Sequence, residues 1–441
     1  MRGKKLRNLF VSIISTISIM AGALCGAFPG EASLSFAALE AVIRKSNLAP
    51  GEPKTNIRIG TWYQDYDLTN LSAYLTEQFP NYTFEFEYVD KSNYEPIMDS
   101  KLSYKGAPDI LYVDQEMVEK HAKTRYILNL SDYVDDFTDE AKLAFEYGNA
   151  VYAVPNTSQF ECIFYNKKLF REKNVSIPDS FDTFIGSCDN LRLVKGITPI
   201  AISLKDPYAL SNSALAMLSA DYFSTDRGSG FGGRLQYGRT TFMEEIKPFM
   251  NDWESLIWNN VFTNDMYTMD KLTAIEKFVR EEAAMIVGGP ETYKAIMRLN
   301  PEMEIGTMPF FGSEGAKKAI IGGCDLGFAV NANSENLDQA VEVVVSLATA
   351  RGQEALWKDR PGSKTYLKFL VFENTDVFNG IQDCYAQGLV FTPWMDWGFE
   401  LNKQTHFKLG RELQKVLLGR ETIDEALSNI DRLVFNILHE G

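Results

Sequence analysis

Several short stretches of this chain set flat aromatic rings beside planar polar side chains. Trp62 and Tyr63 adjoin Gln64, Asp65 and Asp67, and Trp394, Asp396 and Trp397 share one tetrapeptide. Asp114 precedes Gln115, Ser158 precedes Gln159, Glu291 stands two residues before Tyr293, and Asp325 lies just beyond the Gly322-Gly323 pair. An aromatic face packs on the apolar C–H side of a sugar ring, while carboxylates and amides bond its hydroxyls. The chemistry expected of these residues is non-covalent recognition of a carbohydrate. Some have plainer uses as well. Asp65, Asp67 and Asp114 suit the N-caps of the helices that follow them. Trp253, Trp258 and Trp357 lie in helical runs and read as core.

Bond-breaking chemistry finds little support. The sequence holds no G-x-x-x-x-G-K-[ST], H-E-x-x-H or G-x-S-x-G pattern. Acidic pairs such as Asp135-Asp136 occur, but a glycosidase needs two carboxylates at a set separation across a cleft. Spacing along the chain does not establish that separation. Gly228 to Gly233 is Gly-rich without joining a strand to a helix, and reads as a flexible loop. The histidines are His121, His406 and His439, and no C-x-x-C spacing is present. No metal and no cofactor is therefore expected. Cys162, Cys188, Cys324 and Cys384 read as free buried thiols.

The elements that would position these groups follow from periodicity. Residues 56–60 form a short strand. Residues 67–79 form a helix with Leu68, Leu71, Leu75 and Phe79 on one face. Tyr82, Phe84, Phe86 and Tyr88 alternate with polar residues, which is a strand with one wet face. A helix over 94–104 and a buried strand over 107–113 follow. Strand and helix in alternation predict a parallel sheet, with ligands beyond the carboxyl ends of its strands, at 62–67 and 114–116. Residues 165–320 read as largely helical. Thr422 and Glu425 form a capping box for a last helix striped by Ile423, Ala426, Leu427, Ile430 and Leu433.

A chain of 441 residues is long for one core and suits two lobes. Its formal charge of −15 repels nucleic acid and anionic lipid, so neither is an expected partner. Arg2, Lys4, Lys5 and Arg7 precede an apolar run over 9–24, the pattern of a secretory signal, with small-residue cleavage sites ending at Ala23, Ala27 or Ala32. Cys25 raises a lipid anchor, although Leu24 and Gly22 depart from that signal; an uncleaved segment would tether the chain equally well. Residues 33–47 suit a short helix, and 49–55 a linker.

Tyr165-Asn166-Lys167-Lys168-Leu169-Phe170, followed by Pro178 to Phe184, resembles the crossing-strand signature of extracellular solute-binding proteins that feed ABC importers (family 1, the maltodextrin-binding type). Ala283-Ala284-Met285 with Gly288-Gly289-Pro290, then Gly352-Gln353-Glu354, and the ending from Gly419 to Leu427 are similar to later motifs of that family, in the same order. The resemblance implies an α/β, periplasmic-binding-protein-like (type II) fold with two lobes, hinge segments and a cleft between. It divides the chain into a signal or anchor over 1–32, a linker over 33–55, lobe 1 from 56–161 and 325–370, and lobe 2 from 162–324 and 371–441. The crossings fall near 158–165, 322–326 and 369–374. It further implies a secreted, non-enzymatic, monomeric binder that takes a mono- or oligosaccharide at the residues above and hands it to membrane permease subunits. The alternatives are a sensor of the same fold signalling to a membrane kinase, and a secreted carbohydrate-active enzyme.

Overall fold

The computed structural model describes residues 54–312, 317–398 and 400–440. The expected signal, Cys25, the 33–47 helix and the linker up to residue 53 lie outside the described residues. In Thr55–Thr61, Ile57 and Ile59 point into a core, and the strand pairs in parallel with Tyr82–Tyr88 from Thr55↔Tyr82 to Thr61↔Tyr88. The fully buried Ile110–Val113 strand pairs on its other side, also in parallel. Two further strands, Gly327–Val330 and Val154–Pro155, complete this sheet in antiparallel sense. The sheet is thus mixed: its parallel part is the expected strand–helix alternation, and both antiparallel pairings are made by Gly327–Val330, chain that has been to the other lobe and back. The expected 67–79 helix begins later. Asp65–Asp67 is a 3-10 turn, and the α-helix spans Thr69–Gln78, burying Leu71, Tyr74 and Leu75.

The second sheet is built around Gln159–Asn166, which pairs in antiparallel sense with Lys318–Gly323, Ala283–Gly288 and Ile305–Met308. Thr198–Ala201, Phe310–Phe311 and Val390–Phe391 extend it. Helices Pro207–Leu218, Asn402–Leu417 and Ile423–Glu440 pack around this half. The Thr422–Glu425 capping box is present, each residue bonding the other's backbone N–H. The Gly-rich 228–233 segment departs from expectation. Asp226–Ser229 and Phe231–Gln236 are short helices, and Gly232 sits so close to the Asp396 backbone that a Cβ there would collide with it.

Two hydrophobic cores result. One gathers Ile57, Leu71, Tyr112, Phe328, Val344 and Tyr366; the other gathers Phe164, Leu215, Trp253, Met285, Ile320 and Leu427. The chain passes between the sheets at 156–158 and at 324–326, and between the cores again after Leu367 and before Phe378. Two lobes are what two sheets with separate cores require. Of the tryptophans expected in cores, Trp253 is buried, but Trp258 is 64% exposed at the end of its helix. Trp357 is half-buried, stacked on Phe372. All four described cysteines are free thiols and buried. Among the described residues no helix is long and apolar enough to cross a membrane.

Candidate ligand-binding cleft

Tyr63 is the node at which the lobes meet. It follows the Thr55–Thr61 strand, and its hydroxyl accepts from Arg360 Nη1 at 2.6 Å and from Gln159 Nε2 at 3.0 Å. Gln159 opens the central strand of the second lobe, and its Nε2 also lies 3.3 Å from Glu291 Oε1. Glu291 is in the first turn of the Pro290–Leu299 helix, 3.6 Å from Arg360 Nη1. Burial works to raise the Glu291 carboxyl, but the Arg360 and Lys271 cations outweigh it and hold the group at about 2. Arg360 is 5% exposed, and its Nε and Nη2 have no hydrogen-bond partner among the described residues. A buried guanidinium with an open edge is poised to donate to an incoming acceptor.

Around this node, Asp325 lies on the second crossing. Burial raises its carboxyl to about 6 against the pull of Arg360, and its Oδ1 is buried without a partner. Trp62 is half-buried, edge-on to Tyr94 at 4.9 Å, with Lys91 Nζ 5.5 Å from its ring centre. Asp114 takes the plainer role too: it caps the Gln115–Lys123 helix, accepting from Met117 N at 2.9 Å. It stays half-buried beside Gln115, which opens that helix. Asp67 faces Lys294 of the second lobe, whose Nζ donates to its carbonyl at 3.0 Å and sits 3.9 Å from its carboxylate. Asp65 is exposed on the same turn. A cavity of about 20 Å³, room for one water, is lined by Tyr63, Tyr112, Asn156, Glu291, Lys294 and Arg360.

Other expected residues are placed differently. Ser158 is fully buried, its hydroxyl accepting from Lys364 N at 2.9 Å and lying 3.4 Å from Tyr385 Oη, so its polar capacity is used inside the hinge. Tyr293 turns away from Glu291 on its helix and packs edge-on against Phe378 at 5.0 Å, in the second core. Trp397 has no exposed surface and packs edge-on against Phe242 at 5.3 Å, so its faces are taken. Asp396 is exposed, with its carbonyl held by Gln236. Trp394 keeps partial exposure and stacks on His406.

Arg360 is the residue that sequence reasoning missed. The Asp359-Arg360-Pro361-Gly362 run marks a helix end, and nothing in it points to a cleft. Asp359 fixes the position: its carboxylate accepts from Asn70 N and Leu71 N, locking this helix end to the first lobe. Lys294 and Lys403 were also missed. Lys403 pairs with Glu95 and, at 3.5 Å, with Glu116 of the opposite lobe.

Two α/β lobes facing each other across a polar, aromatic-bearing cleft, joined by crossing segments, define a clamp-type binding protein. The profile of the bacterial extracellular solute-binding protein family matches residues 70–365, and the chain belongs to that family. It is similar to the multiple sugar-binding protein of Streptococcus mutans, 22% identical over 62% of this chain and 66% of that one. Among solved structures, a family 1 extracellular solute-binding protein from Bifidobacterium longum subsp. infantis matches with a TM-score of 0.66 at 18% identity, covering 86% of this chain and 99% of that one. The SBP RafE, solved in complex with raffinose, matches with a TM-score of 0.69 at 19% identity, covering 87% and 100%. The likeness to the two solved structures establishes the fold.

Proposed function

We propose that this chain is the solute-binding component of an ABC importer, secreted and held at the outer face of the membrane, closing on an oligosaccharide and passing it to permease subunits. The chain itself catalyses nothing; its work is capture. Lobe 1 takes 56–158 with 325–370, and lobe 2 takes 159–324 with 371–440, because the strand from Gln159 already pairs within the second sheet, three residues before the expected boundary. The observation that carries the reading is the unpartnered edge of buried Arg360 in the field of Asp325, whose Oδ1 is also unpartnered, with the half-buried Trp62 ring 6.0 Å from Tyr63. Donor, acceptor and ring face are what a polyhydroxylated ligand uses. The multiple sugar-binding relative and the raffinose complex support the ligand class. Trp62, Tyr63, Asp114, Gln115, Gln159, Glu291, Asp325 and Trp394 are its contacts, joined by Arg360, with Asp65 and Asp67 at the rim.

The test is titration calorimetry of the chain against raffinose, stachyose and chitotetraose. Saturable one-to-one binding of one of them is expected. Silence toward all three, with heat released on adding peptides or polyamines, rejects the substrate class.

A further inference from the structure

The second-lobe wall holds a relay separate from the Arg360 node. Glu161 lies two residues beyond Gln159 on the Gln159–Asn166 strand, so strand periodicity puts both on one face. From Ala209 to Leu218 every helix residue is buried except Asn212, which stays half-exposed. Asn212 Nδ2 donates to Glu161 Oε2 at 2.9 Å, and its Oδ1 lies 2.9 Å from His406 Nε2. Burial pushes the His406 imidazole down to about 3, so it is neutral, and contact with a carbonyl oxygen places its proton on Nε2. His406 therefore donates to Asn212, which fixes the amide so that its NH₂ faces Glu161. The Trp394 ring lies on His406 with centroids 4.2 Å apart and planes 16° apart, and Tyr208 meets the imidazole edge-on at 4.9 Å. The relay looks toward the first lobe through Tyr208, which feels Asp114 and Glu116 across the gap; within its own lobe Glu161 feels Glu291.

We propose that Glu161 and Asn212, backed by His406 and edged by the Trp394 indole, form a second hydroxyl-binding subsite for a pyranose ring. This rests on the reading of the chain as a sugar binder. Among the described residues Asn212 is the side-chain donor to Glu161, and it engages Oε2. Burial drives the carboxyl up to about 7, against the Asn212 hydrogen bond and Lys271; Asp206 and Glu291 add to the rise. One amide donor does not compensate the desolvation of this carboxylate. Sugar hydroxyls supply the missing donors, and the partly exposed indole stacked on His406 supplies a face for the ring's C–H side. Hydroxyl donation favours the ionised carboxylate, so affinity rises as pH rises through about 7.

Calorimetry of the full chain with raffinose, stachyose and chitotetraose, at about pH 6.5 and about pH 8, compares wild type with Glu161→Gln and Asn212→Leu, each checked for an intact thermal transition. The expected result is roughly ten-fold weaker binding in both variants, the loss of one charge-assisted hydrogen bond. In Glu161→Gln the rise in affinity between the two pH values should also flatten. Variants that match wild type in affinity and pH slope overturn the subsite and leave the sugar reading standing. A wild type that binds none of the three sugars overturns both. If Asn212→Leu fails to fold, the near-isosteric Glu161→Gln decides alone.

Discussion

At the scale of single residues, Asp325 shows how a binding site departs from what stability favours. Its carboxyl is raised to about 6 by burial, more than Arg360 lowers it, and Oδ1 has no partner. A carboxyl whose folded pKa lies above its ordinary value contributes stability at low pH that is lost as pH rises through the folded value. Asp325→Asn should therefore raise the thermal midpoint at about pH 8, by roughly 2–4 °C for each kcal/mol recovered, and change it little near pH 4. Thermal melts at the two pH values check this; an equal shift at both would show that the charge is not the cause. The same variant should weaken sugar binding, because the charge is lost and one of the two acceptor oxygens becomes an NH₂ donor. Glu291 behaves oppositely, since Arg360 and Lys271 hold it at about 2 despite burial. Its stabilising contribution is present at neutral pH and is lost only as pH falls toward that value.

At the scale of elements, the crossings carry the design. Gly322, next to last in the Lys318–Gly323 strand, lies opposite Phe160, in register with the strand that leads out of the first crossing. A Cβ at Gly322 would collide with the Gln159 carbonyl oxygen and stand 2.8 Å from Phe160 Cα. Both neighbours are backbone, so no side-chain rotation relieves the contact. Gly322→Ala should lower the unfolding free energy by about 1–3 kcal/mol through overpacking, read as a lower urea midpoint, and displace Gln159 from the Tyr63 node. An unchanged midpoint and unchanged sugar affinity would show that the two strands can part without cost. Helices elsewhere were legible because their ends and faces are local. Asp114 caps Gln115–Lys123, and Met117, Val118, His121 and Ala122 form its buried face. In the Gly228–Gly233 run glycine's freedom suggests a loop, whereas the segment is helical and Gly232 is small to admit the Asp396 backbone.

At the scale of the whole molecule, the lobes are held together by contacts that do not need a ligand. Lys294 pairs with Asp67, Arg298 lies 4.5 Å over the Tyr66 ring, and Lys403 bridges to Glu95 and Glu116. Each is partly exposed, so each contributes on the order of 1 kcal/mol or less. That is enough to shift an open–closed equilibrium by about five-fold. Lys403→Met should enlarge the ligand-free radius of gyration in small-angle scattering and weaken sugar binding. High salt should enlarge wild type in the same way by screening the pairs. A scattering curve insensitive to both would mean that other contacts set closure.

The sequence by itself determined the strands and helices whose periodicity is local, the capping box at Thr422, the two-lobed α/β class, and the aromatic and acidic residues from which the cleft is drawn. Tertiary structure alone decided which of those residues face the gap. Trp394 and Trp397 stand three apart in one tetrapeptide, yet one remains partly open on His406 and the other is enclosed against Phe242. Arg360 reaches Tyr63 across 297 positions of sequence. Periodicity reveals which face of an element is apolar, but not which distant element covers it. Charge partners so far apart are chosen by the geometry of the crossings, which no local pattern encodes.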